Sequence, residues 1–140
     1  MINNPKAFMA GVWNWNILKG CFGETKIRPT DIDGCVERNG QTLIIETKAP
    51  NVSVPMGQFM TYETWARSGL FTVIVVWGKT DNPTAMMVFN RDGIITPKAA
   101  VTLEQFRGFV AAWYAWANQQ KRGFITSYPK PNHWDIPYQE

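Results

Sequence analysis

Within residues 31–48, Asp31, Asp33, Glu46 and Lys48 stand around a tight turn, with Asn39-Gly40 between them. Asn-Gly flanked by extended runs is the strongest short-range signal for a two-residue hairpin. Such a turn pairs Arg38 with Gln41, Val36 with Leu43 and Gly34 with Ile45. Asp33 then faces Glu46, and Asp31 faces Lys48. Strand side chains alternate, so these last four share one face, while Ile32, Gly34, Val36, Leu43 and Ile45 form the opposite, core side. Opposed carboxylates roughly 5 Å apart repel by about 3 kcal/mol at an effective dielectric near ~20, and far less in water. A wet face tolerates the pair. A partly covered face requires a proton, a cation or a neighbouring lysine. A hard divalent cation neutralises it best, and oxygen ligands without His or Cys favour Mg²⁺ or Mn²⁺ over zinc. Lys48 could then hold a water or stabilise charge developing on a phosphate.

The elements that must hold these groups follow from the hydrophobic pattern. Two extended runs, Asp31–Arg38 and Thr42–Ala49, form the hairpin. Pro55 opens a helix that carries Gln58, Tyr62 and Trp65 and stops at Gly69. Leu70–Trp77 is a continuous apolar, β-branched run, expected as a strand buried on both faces. A strand at Ala85–Phe89 follows a turn at Asp81-Asn82-Pro83. A long helix over about 102–122 takes Thr102 as cap and Gln105 as its capping-box partner. Its stripe comprises Phe106, Phe109, Val110, Trp113, Tyr114 and Ala117, and the Trp113, Tyr114 and Trp116 cluster reads as core. Upstream, Pro5–Leu18 reads as an amphipathic helix carrying Phe8, Met9, Val12, Trp13 and Trp15, and Lys26–Arg28 as a short first strand. Ser127–Glu140, with three prolines, reads as an extended arm beyond one domain spanning residues 1–126. The order predicts a mixed α/β fold.

The segment PTDIDGCVERNGQTLIIETK resembles the hairpin of the PD-(D/E)XK nuclease superfamily: an acid, a turn, then acid-x-Lys, here Glu46-Thr47-Lys48. Gln58 and Tyr62, one helical turn apart on one face, resemble the QxxxY motif of its RecB-like branch. The resemblance covers residues 29–62 by motif and about 5–78 by element order. It implies a restriction-endonuclease-like αβββαβ core, a mixed sheet flanked by helices, here with an extra strand and a C-terminal helix. It implies Asp33 and Glu46 as Mg²⁺ ligands, with the Thr47 carbonyl, and Mn²⁺ able to substitute. Lys48 would orient water or phosphate, and Gln58 and Tyr62 would place the DNA or the lysine. Two departures stand out. The superfamily's first-helix glutamate has no counterpart in residues 1–23, which contain no acid, leaving Glu24 as the candidate. The upstream metal-binding histidine of the helicase-nuclease branch is also missing, so a single metal would suit the ligand set. The function implied is a metal-dependent deoxyribonuclease of the kind phages and mobile elements use in recombination or DNA processing. The alternative is a nuclease-fold module that binds nucleic acid or a partner protein without cutting.

Composition agrees with a folded protein. The 140 residues are 45% hydrophobic and 18% charged, which excludes a low-complexity or disordered chain. The longest apolar stretch is far short of the roughly 20 residues of a membrane span. No signal peptide is evident, and a cytoplasmic location is expected. Cys21 and Cys35 are too few for an iron–sulfur cluster or an all-Cys zinc site, and are expected as reduced thiols. A net charge of +3 permits a polyanionic partner without requiring one. Lys19, Lys26 and Arg28 are candidate DNA phosphate contacts, as are Lys121, Arg122 and Lys130 near the C-terminus. A homodimer is compatible with a double-strand cutter this small, though no sequence feature requires one. His133, the lone histidine, is assigned no role. No phosphate-cradling glycine loop or Cys/His nucleophile supports a small-molecule enzyme.

Overall fold

Asn39 and Gly40 both adopt positive φ, 53° and 86°, the backbone a two-residue hairpin turn demands. The computed structural model describes residues 5–6 and 11–122, which divide into two compact units, Met1–Asp31 and Ile32–Glu140. Phe8, Met9, Lys130, His133 and the proline-rich arm lie outside the described residues.

In the second unit the turn joins β1 (Gly34–Arg38) to β2 (Gln41–Lys48). The register is the expected one: Arg38 opposite Gln41, Val36 opposite Leu43, Gly34 opposite Ile45. Helix α1 (Met56–Arg67) connects β2 to β3 (Phe71–Lys79), which runs parallel to β2. Such a parallel pair needs a crossover, and α1 supplies it. Gly69, at φ 79°, follows the last turn of α1 in the left-handed conformation that ends helices. β3 turns back into β4 (Asn82–Phe89), and a two-residue β5 (Ala99–Ala100) closes a five-stranded mixed sheet of order β1-β2-β3-β4-β5. The chain ends its regular structure in α2 (Leu103–Ala117), where Thr102 and Gln105 form the expected capping box. The fold is thus α/β, with a mixed sheet and helices.

Both faces of the sheet are covered. Ile44, Val73, Val75, Trp77 and Phe89 pack with Tyr62 and Ala66 of α1. Leu43, Ile74 and Val76 pack with Trp113 and Ala117 of α2. β3 is therefore buried from Thr72 through Trp77, as a continuous apolar run requires. The core is consequently not confined to the Leu43 face of the hairpin. The face carrying Glu46 lies beneath α1, and on the other face Ile32 and Val36 are exposed.

Several expectations need correction. Residues 5, 6 and 11 of the expected Pro5–Leu18 helix are helical, but residues 12–15 are not, and a 3₁₀ turn follows at Asn16–Leu18. The Asn14 side chain accepts from the Asn16 N–H at 3.0 Å, and Trp15 takes a positive φ of 64°, a local alternative that competes with helix. Lys26–Arg28 is not a strand. Thr25 Oγ1 accepts the Ile27 N–H at 3.2 Å, withdrawing the donor a ladder would use. Among the described residues two strands, not three, precede the crossover helix. The turn before β4 lies at Thr80-Asp81 rather than 81–83. α2 ends at Ala117, not near Arg122. There Asn39 of the hairpin turn donates to the Ala117 and Asn118 carbonyls, both at 3.2 Å, and Arg38 donates to Asn118 Oδ1. A long-range cap thus meets the carbonyls that further helix would have used.

Candidate active site

Glu46 lies on β2 facing α1 and is 8% exposed. Strand alternation puts Lys48 on the same face one step further, and its ammonium sits 3.5 Å from Glu46 Oε1. α1 brings Gln58 over both. Lys48 Nζ donates to Gln58 Oε1 at 2.7 Å, and Gln58 Nε2 donates to Glu46 Oε1 at 3.5 Å. Tyr62, one turn further along α1, is buried. Burial first, then the neighbouring Glu46 carboxylate, pushes its hydroxyl well above the usual phenol range. The hydroxyl therefore stays protonated beside Glu46.

Asp33 reaches the cluster from the other side of the hairpin. β1 begins only at Gly34, so the facing pairs expected at Asp33–Glu46 and Asp31–Lys48 lie beyond the ladder. The Asp33 carboxylate instead accepts two hydrogen bonds on Oδ2, from the Thr47 N–H at 2.9 Å and the Thr47 hydroxyl at 3.0 Å. Lys48 has Glu46 and Gln58 as partners in place of the expected Asp31. Burial pushes the Glu46 carboxyl above its ordinary value, the Asp33 charge raises it further, and Lys48 partly offsets both. Asp33 and Glu46 are thus close enough to repel, in a setting that disfavours negative charge. Two such carboxylates and the Thr47 backbone oxygen are hard donors suited to Mg²⁺ or Mn²⁺. Among the described residues no group of three His, Cys, Asp or Glu side chains forms a metal cluster.

Of the remaining expected residues, Lys19, Glu24, Lys26 and Arg28 lie in the first unit. Lys19, Lys26 and Arg28 all line one cavity of about 310 Å³ there. Glu24 is exposed and is not part of that lining. Cys21 and Cys35 are exposed free thiols. No helix of the described residues is long and apolar enough to cross a membrane. The Thr47 side chain as a holder of Asp33 was not foreseen. The signal was a Thr adjacent to Glu46 in the strand next to Asp33, too common a pattern to single out. Tyr114 was expected in the core but is 48% exposed, whereas Trp113 is buried. Trp116 is only partly buried, with the Arg91 guanidinium 3.3 Å from its ring centroid.

Comparison with family models, with curated proteins and with solved structures gives no match.

Proposed function

We propose that the chain is a metal-dependent nuclease that hydrolyses DNA phosphodiester bonds, with a restriction-endonuclease-like core. The observation that carries this reading is the convergence of Asp33, Glu46 and Lys48 at the ends of β1 and β2, with Gln58 and Tyr62 of α1 above them. Asp33, Glu46 and the Thr47 carbonyl would hold Mg²⁺ or Mn²⁺. The ion would supply Lewis-acid polarisation of the phosphate and neutralise the two carboxylates.

The chain's own groups do the rest. Gln58 accepts from the Lys48 ammonium and donates to Glu46, so it fixes where the positive charge sits. Lys48, held there, stabilises negative charge growing on the phosphate oxygens as water attacks. Tyr62 keeps its proton and so offers a donor, not a second anion, beside Glu46. Thr47 occupies one oxygen of Asp33, leaving the other outside those two hydrogen bonds.

The test is nicking of supercoiled and linear DNA in Mg²⁺, Mn²⁺ or chelator. Asp33→Ala and Lys48→Ala are expected to abolish cleavage with unchanged far-UV circular dichroism. Wild-type cutting by both folded variants would refute the assignment. A second reading, a nuclease fold that binds nucleic acid or a protein without cutting, draws on the small acid set and on Lys48 being engaged by both Glu46 and Gln58. Binding of DNA without cleavage or Mn²⁺ uptake would favour it.

A further inference from the structure

Two cavities of about 490 and 500 Å³ lie between α2 and the sheet and share Ile45, Phe106 and Arg107, so they form one continuous groove. At one end its walls are Val36, Leu43, Val110 and Tyr114; at the other they are Thr47, Lys48, Trp77 and Leu103. The groove therefore runs from an apolar, aromatic stretch to Thr47 and Lys48 at the end of β2, while Asp33, Glu46, Gln58 and Tyr62 do not line it. Phe106, Val110 and Tyr114 recur every four residues and so line one side of α2. Tyr114 is 48% and Leu103 also 48% exposed, large apolar surfaces left uncovered along this line. Arg107 stands where the two cavities meet, is exposed, and has no ion-pair partner among the described residues. Asp81, on the β3–β4 turn, lines the far end beyond Lys48 and would repel a polyanion continuing past it.

Resting on the nuclease reading, we infer that this groove binds a single strand of nucleic acid, bases against Phe106 and Tyr114 and backbone phosphate on Arg107, leading into Thr47 and Lys48. The chemistry distinguishes single strand from duplex. A duplex hides its base faces and presents phosphates, which an apolar wall can only desolvate. An unpaired strand offers a π-face at each nucleotide, and aromatic side chains bind these without sequence preference. One unpaired cation at the junction suits one phosphate contact.

The test is fluorescence anisotropy of a labelled oligothymidine and of a duplex of equal length, in chelator, titrated with the full chain over a range of salt. Tighter binding of the single strand is expected. Tyr114→Ala should weaken it about 5- to 150-fold. Arg107→Ala should flatten the log–log salt dependence by about 0.7. Equal affinity for duplex, or unchanged affinity in both folded variants of a protein that still cleaves, overturns the groove and leaves the nuclease reading standing. A folded wild type that neither binds nor cuts nucleic acid removes both. If Tyr114→Ala leaves DNA affinity unchanged but shifts the sedimentation coefficient, a second copy fills the groove. If Tyr114→Ala and removal of residues 123–140 lower the melting temperature equally without touching DNA affinity, the chain's own end fills it. Either result overturns the inference.

Discussion

Glu46 carries an unusual burden: a carboxylate almost fully covered, beside another carboxylate, with one ammonium, one amide and the Tyr62 hydroxyl for company. Its folded pKa lies above its ordinary value of 4.5. Ionising it therefore costs more in the folded chain than in the unfolded one. The sign follows directly: its stabilising contribution is complete below pH 4.5 and is lost as pH rises through the raised folded value. Urea unfolding in chelator from pH 4 upward should show this as a difference. Wild type minus Glu46→Gln is expected to fall with rising pH over that window and then level off. A flat difference would mean that Lys48 fully compensates the burial. Gln58 supports the ionised cluster, since one side chain accepts from the ammonium and donates to the carboxylate. A buried ion pair lacking such support is commonly a net cost.

At the level of the elements, the β3–β4 connection depends on one residue. Gly78 sits at φ 151°, at an irregularity in the pairing, and a Cβ there would come within 2.2 Å of the Asn82 carbonyl oxygen. No flexible side chain can yield, because the obstacle is backbone. Gly78→Ala is expected to destabilise by about 1–3 kcal/mol or more, because an overpacked contact and a strained φ coincide there. Chemical denaturation checks this, and a change within about 0.5 kcal/mol, as for an ordinary surface site, would refute it. Much of the candidate site's geometry is legible in the sequence for a simple physical reason. A two-residue turn leaves no freedom in register, so Asn39-Gly40 alone paired the hairpin strands, and helical spacing put Gln58 and Tyr62 on one side of α1. What escaped was decided by contacts distant in the chain or by very local competition. The end of α2 is set by Asn39, nearly eighty residues earlier. β5 has two residues and no pattern to read. The stretch before Asn16 had helical spacing, yet the Asn14 side chain diverted the backbone. Tyr114 belongs to the apolar stripe, but it borders a cavity beside Val36 and Leu43 instead of packing on them, and so stays half exposed.

For the molecule as a whole, binding of the proposed ion should register as stability. Any ligand taken up only by the native state stabilises it by RT ln(1 + [L]/Kd), about 2.7 kcal/mol at a hundredfold excess over Kd. Mn²⁺ titration followed by thermal melting is expected to raise the transition in wild type. Asp33→Ala, which removes a carboxylate exposed at the end of the hairpin, should keep the metal-free melting point and lose the increase. An equal increase in both proteins would place any Mn²⁺ elsewhere.

The turn at Asn39-Gly40 has a consequence for how such a chain can drift over generations. The same pair of residues decides which strand positions meet and supplies the amide that fastens the end of α2. One inserted or deleted residue at that tip would shift the pairing by a step and turn every β1 side chain over, while unseating a helix on the far side of the sheet. Descendants should keep the length of this corner, and at its tip residues that accept positive φ and an amide that reaches α2.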